Sequence, residues 1–133
     1  MSISLFNVAF DCADPYELAL FWSQVFDQPL NEEDHPGDPE ASIALPGGPN
    51  LFFQRVPEPK SGKNRVHVCL RPDGNRDHDV ERLMGFGARL VDDKRGPHGN
   101  GWVVLADPEG NELCVLRNSV GRTESDAPPD VRD

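Results

Sequence analysis

Four side chains in the second half of the chain concentrate its reactive chemistry: His67, Glu112, Cys114 and, as a flat apolar surface, Trp102. His67 suits a general acid/base or a hydrogen-bonding anchor for a ligand. Arg65 and Arg71 fall on its strand face, and two cations beside an imidazole disfavour its charged form. Cys114 is a nucleophile only if His67 or a basic neighbour lowers its thiol pKa; otherwise it is an unreactive buried thiol. Glu112 is either a proton-transfer group or a rim carboxylate paired with Arg71 or another base. Phe52 and Trp102 are candidate stacking surfaces for a flat ligand, although Trp102 equally suits a core position. The glycine-rich run Gly96–Gly101 ahead of Trp102 reads as a lid. His35, His78 and His98 sit in loop or helix-start contexts and read as surface residues.

These residues are positioned by a self-match at a spacing of about 60 residues. Asn7-Val8-Ala9-Phe10 matches His67-Val68-Cys69-Leu70, Ile43-Ala44-Leu45 matches Val103-Val104-Leu105, and Leu51-Phe52-Phe53-Gln54 matches Asn111-Glu112-Leu113-Cys114. Such a period reports a repeated supersecondary unit. With two copies, it predicts two modules about a pseudo-twofold axis. Residues 3–12 alternate as a strand, with Phe6, Val8, Phe10 and Cys12 on one face. Asp14-Pro15-Tyr16-Glu17 is a helix start, and Leu18, Phe21, Trp22 and Val25 form its apolar stripe. Pro29 ends that helix or follows its end, and strands are expected near 30–34, 41–45 and 50–56. The second copy predicts a strand over 65–71 and a helix near 77–86, capped by Asp77, striped by Val80, Leu83 and Met84, and stopped at Gly87. Strands near 88–92, 101–106 and 111–117 complete it. The helices align at 62 rather than 60, which implies a small insertion before the second.

The fold expected is therefore α+β: two βαβββ modules, a cupped mixed sheet and helices outside. One domain over 1–117 divides into modules at 1–57 and 65–117, joined by the proline-bearing linker 58–64, with a polar tail at 118–133. In each first strand the apolar face must pack on the helix. The mixed face, carrying Asn7, Ala9 and Asp11 or His67, Cys69 and Arg71, looks the other way. In the last strands Glu112, Cys114 and Leu116 share that outlook, with Phe52, Gln54 and Val56 as their counterparts. A concave surface with a few convergent polar groups is a default ligand site.

Composition narrows the partners. The 133 residues carry 13 basic and 23 acidic side chains, a net charge of −10. Residues 1–60 hold 10 acids against 2 bases, whereas 61–117 hold 9 of each. Such a surface disfavours nucleic acid and anionic membrane, and the acidic run Glu32 to Glu40 reads as a solvated loop. No apolar window is long enough to span a bilayer, and the start of the chain lacks the pattern of a signal peptide. Three scattered cysteines, Cys12, Cys69 and Cys114, form neither a disulfide framework nor a Cys-x-x-Cys pair, so a reduced, cytoplasmic protein is expected.

The βαβββ repeat, the segment Phe10-Asp11-Cys12-Ala13-Asp14-Pro15 leading to Leu20-Phe21-Trp22, and above all Trp102 to Leu116 with its Asp107-Pro108-Glu109-Gly110-Asn111 turn resemble the vicinal oxygen chelate superfamily, in particular its glyoxalase-like domain proteins. The resemblance covers residues 1–117. That superfamily includes glyoxalase I, extradiol dioxygenases, fosfomycin-modifying enzymes, methylmalonyl-CoA epimerase and bleomycin-binding resistance proteins. Its enzymes hold a divalent metal with side chains from the first and last strand of each module, and many members pair as homodimers. Carried over, the metal positions fall on Asn7, Gln54, His67 and Cys114. This set departs from the enzymatic pattern, because a thiol stands where a carboxylate is expected and no anionic oxygen ligand remains. Mg²⁺, Mn²⁺ and Ca²⁺ are then poor guests, and no metal or other cofactor is expected.

What the resemblance implies is a small-molecule binding protein of the glyoxalase/bleomycin-resistance type. Its ligand, an aromatic one among the candidates, is held by Asn7, Phe52, Gln54, His67, Trp102 and Cys114 without a required metal. The alternative is a lyase, isomerase or hydrolase using His67 as acid/base, assisted by Glu112 or Cys114. A third reading is a dimerisation module whose cup is filled by its own side chains.

Overall fold

The computed structural model describes residues 2–118. The chain forms two compact units, Met1–Gly62 and the part from Lys63 onward, with the boundary inside the predicted linker. The tail expected beyond 118 lies outside the described residues.

The first unit runs β1 (Asn7–Cys12), α1 (Pro15–Phe26), β2 (Glu40–Ile43) and β3 (Asn50–Arg55). Its sheet has the order β1-β3-β2, with β1 parallel and β2 antiparallel to β3. Asp14 caps α1 by accepting the Glu17 amide at 3.2 Å, and Pro15 occupies the first turn. The helix ends at Asp27, which takes a left-handed conformation (φ 52), and Pro29 follows that end. Leu18, Phe21 and Trp22 are buried, as the stripe requires. Phe10 lies between Phe53 (ring centroids 5.0 Å apart) and Trp22 (5.4 Å), so aromatic rings build this core.

Two expectations fail here for the same reason, a lack of partners. The strand expected from residue 3 begins only at Asn7, because β3 starts at Asn50 behind Pro49. Phe6, expected on the core face, is exposed together with Leu5. The strand expected at 30–34 shrinks to a single Leu30–Ile43 bridge. Asn31 turns the chain by accepting the Glu33 amide, and Asp34 accepts the Ser42 amide, both at 2.9 Å. The acidic loop is also tied down: Arg55 donates to the carbonyls of Gly37 and Asp38.

The second unit runs β4 (Val68–Leu70), α2 (Arg76–Gly85), β5 (Arg89–Arg95), a 3₁₀ turn (Pro97–Gly99), β6 (Gly101–Ala106) and β7 (Glu112–Leu116). Its sheet order is β4-β7-β6-β5, with β4 parallel to β7 and the rest antiparallel. The cap of α2 is Asn75, which accepts the His78 amide at 3.0 Å, and not Asp77. Gly87 (φ +123) follows the helix end as expected. Val80 and Leu83 are buried with Val103, Leu105, Leu113 and Val115, whereas Met84, expected in the stripe, is exposed. The strand expected over 65–71 keeps only three residues, because β7 offers only Leu113–Val115 as partners, and Val66 is exposed.

The Asp107–Asn111 turn is a small hydrogen-bonded structure of its own. Asp107 is fully buried; its Oδ1 accepts the amides of Glu109 and Asn111 at 2.9 Å, and its Oδ2 accepts Asn111 Nδ2 at 3.0 Å. A buried carboxylate persists only when it is bonded in this way. Among the described residues no helix is long and apolar enough to cross a membrane.

Candidate functional site

The register of the second sheet determines what meets what. Cys69 stands beside Cys114, and Cys114 stands opposite Val104, which stands opposite Asp92. Residues two apart on a strand share a face. One face of this sheet therefore carries Cys69, Glu112, Cys114, Trp102, Val104, Asp92 and Lys94, while Leu113, Val115, Val103 and Leu105 turn to α2. A β-bulge makes this possible. Between Leu90 and Asp92 the register shifts by one residue, leaving Val91 unpaired and moving Asp92 and Lys94 onto the face of Trp102.

Over this face opens a cavity of about 390 Å³ lined by residues from Lys63 to Cys114. His67, Cys114 and Val104 contribute to its lining, Trp102 gives it an aromatic wall, and Lys63, Arg65 and Lys94 supply cationic groups. Two carboxylates answer them. Glu112 is paired with Lys63 rather than with Arg71, whose guanidinium instead donates to the Arg117 carbonyl at 2.6 Å. Asp92 lies 3.6 Å from Lys94, whose ammonium also sits 5.9 Å from the Trp102 ring centroid. Three cations against two carboxylates leave a positive pocket in an acidic protein.

His67, Glu112, Trp102 and Cys114, all expected at the site, meet in this one cavity. Asn7, Phe52 and Gln54 share a face of the first unit's sheet: Asn7 beside Asn50, Phe52 beside Ala9, Gln54 beside Asp11. The Gln54 amide donates to Asp11 Oδ1 at 2.8 Å. The registers also revise the internal match. Ala9 stands beside Phe52 and Cys69 beside Cys114. The pairs Ile43–Leu51 and Leu105–Leu113 are each eight residues apart, which sets the hairpins at a spacing of 62. The register counterpart of Cys114 is thus Phe52, not Gln54.

Sequence reasoning missed two groups of residues. Cys69 was visible only as a neighbour of His67 on an alternating strand; its pairing with Cys114 is a register fact. Asp92 and Lys94 were hidden by the bulge, since strict alternation gives no sign of it. The 96–101 loop is not loose: Arg76, nearly buried, donates to the carbonyls of Gly99, Asn100 and Gly101 at 2.9–3.1 Å. Gly101 (φ +83) is obligatory there, because a Cβ would lie 2.0 Å from the Lys94 carbonyl oxygen.

Behind the pocket an ionic cluster braces β5. Arg95 binds Asp93 (2.6 Å) and Asp77 (3.0 Å). Hydrogen bonds from Arg95 hold the Asp93 carboxyl down at about 2, and those from Arg95 and then Arg76 lower that of Asp77.

His67, Cys69 and Cys114 offer ligand atoms that all lie within 4.8 Å of one another. The hard divalent cation implied by the sequence resemblance does not fit this set, which contains an imidazole and two thiols but no carboxylate. Cys114, 3% exposed between β4 and β6, meets the pocket only as part of its lining.

A family model described as a glyoxalase-like domain matches residues 7–116. No curated protein sequence matches the chain. Among solved structures, a glyoxalase/bleomycin resistance protein/dioxygenase family enzyme from Burkholderia phytofirmans is similar at 19% identity and a TM-score of 0.68, covering 86% of this chain and 98% of that one. A possible glyoxalase from Bacillus cereus is similar at 17% identity and a TM-score of 0.65, over 86% and 99%. The fosfomycin resistance protein FosX from Mesorhizobium loti is similar at 17% identity and a TM-score of 0.65, over 94% and 96%.

Proposed function

Because the chain belongs to the glyoxalase-like domain family of the vicinal oxygen chelate superfamily, we propose that it binds a small organic anion in the second-unit pocket, in the manner of the resistance-type binders of that superfamily. The observation that carries this reading is the lining itself: an aromatic wall, Trp102, within a rim whose cations outnumber its carboxylates. A flat apolar body would lie on Trp102 and an anionic group at Arg65 and Lys94, with His67 as a hydrogen-bonding anchor. Binding of this kind requires no metal. The reading extends to a homodimer, checked by light scattering of the purified protein, and to a reducing cytoplasm.

The two tryptophans make the test direct. Trp22 is wholly buried in the first unit, whereas Trp102 lines the pocket. In a Trp22→Phe protein, aromatic carboxylates such as salicylate should quench the remaining fluorescence saturably and raise the melting temperature. Arg65→Ala should weaken that binding about tenfold, the loss of one charge-assisted contact of about 1.4 kcal/mol. A wild-type protein that shows neither quenching nor a melting shift across aromatic carboxylates and phosphonates sinks the proposal. A second reading, an enzyme with His67 as acid/base, is favoured by the presence of His67 and Glu112 in one cavity. It predicts turnover of a bound ligand that His67→Ala abolishes without abolishing binding.

A further inference from the structure

We propose that His67, Cys69 and Cys114 form a site for a soft divalent cation, zinc in the first instance, built within the second unit alone. It goes beyond the binding of an organic anion, which needs no metal. Three observations carry it. Cys69 and Cys114 are lateral partners on parallel strands, so their side chains leave the sheet on the same face. His67 lies two residues before Cys69 and brings its imidazole to that face. All three ligand atoms lie within 4.8 Å of one another.

Zinc–sulfur bonds of about 2.3 Å and zinc–nitrogen bonds of about 2.0 Å in a tetrahedron place sulfurs about 3.8 Å apart and sulfur and nitrogen about 3.5 Å apart. Side-chain rotations moving each ligand atom by ~1 Å or less close that gap. Two thiolates and an imidazole suit Zn²⁺ and disfavour Mg²⁺ or Mn²⁺. Three protein ligands leave the fourth position for water or for a ligand in the cavity that His67 and Cys114 line. On binding, the cation gains two bonds to sulfur and one from an imidazole lone pair. The two thiols release two protons to solvent, and no electron is transferred.

The test uses the full chain, reduced and stripped with a chelator, with Co²⁺ as a spectroscopic probe and Zn²⁺ as competitor. One Co²⁺ per chain should give a sulfur-to-cobalt charge-transfer band, with about two protons released, and stoichiometric Zn²⁺ should displace it while excess Mg²⁺ does not. Cys69→Ser should weaken binding by more than about 100-fold, since changes merely behind a ligand already cost 10–100-fold. Cys12→Ser, in the first unit, should leave the band unchanged. Because Cys69 is exposed, that variant keeps its fold even if Cys114→Ser does not, as circular dichroism will verify. A folded wild type with no thiolate band, a band that survives Cys69→Ser, or displacement by Mg²⁺ overturns the proposal. Fluorescence titration of the metal-stripped Trp22→Phe protein with salicylate fails or succeeds independently of it.

Discussion

In the first unit a helix rests on rings, its Trp22 against Phe10, which stacks on Phe53; in the second a more polar helix rests on Val103, Leu105, Leu113 and Val115. The hairpins differ too. The first closes with Gly48 donating to the Leu45 carbonyl and Gly47 at φ +72, a turn made by backbone freedom. The second keeps the same kind of backbone closure, Gly110 donating to the Asp107 carbonyl, and adds to it the buried carboxylate of Asp107. One topology thus accepts two solutions for core and turn, and the units diverge furthest on the face away from the helix. There the first unit sets Ala9 beside Phe52 and the second sets Cys69 beside Cys114. The scaffold demands apolar side chains on one face and leaves the other free for chemistry.

The largest effects should come from what is buried. Trp22→Ala should cost about 4 kcal/mol, the upper range for emptying an aromatic core site. Hydrogen exchange should then show the first unit losing protection before the second, and uniform loss in both would remove the contrast between cores. Asp107→Ala should cost about 3 kcal/mol, because several amides lose a charged acceptor. Gly48→Ala, in a turn without such a carboxylate, should change the urea midpoint far less. Arg76→Ala should cost about 2 kcal/mol by freeing three carbonyls of the loop before β6, read as faster exchange at 97–101 with α1 unaffected. The smallest effect is acidic. Asp93 and Asp77 have folded pKa values below their unfolded 3.8, so their contribution is complete above about pH 4 and disappears as pH falls towards 2. Asp93→Asn should flatten the decline of the urea midpoint over that interval, and an unchanged slope would remove Asp93 from the account.

Much of this was readable from residue order. Asp14-Pro15 fixed the start of α1, the spacing of Leu18, Phe21 and Trp22 fixed its buried face, and alternation at Leu113 and Val115 fixed the core side of β7. Alternation and the repeat point His67, Glu112 and Cys114 to one face, whereas Trp102 is singled out only as an aromatic ring after a glycine-rich loop, with a core position its equal alternative. What escaped depends on partners distant in sequence. Alternation says which way Phe6 and Val66 would point in a strand, but not that neither has a neighbour to pair with. It likewise cannot say which residue of β7 lies beside Cys69, nor that Asn75 outcompetes Asp77 for the cap while Asp77 turns to Arg95.

Val91, unpaired at the bulge and half exposed, works as a parity bit for the rim. Deleting it would straighten β5 and leave Asp92 and Lys94 facing Trp102. Deleting a residue immediately after Asp92 would instead bring Arg95 into the place of Lys94 and turn the ionic cluster inside out. Length variation at a single edge strand therefore rewrites the charge presented to a ligand while the hydrophobic layer beneath it goes unedited.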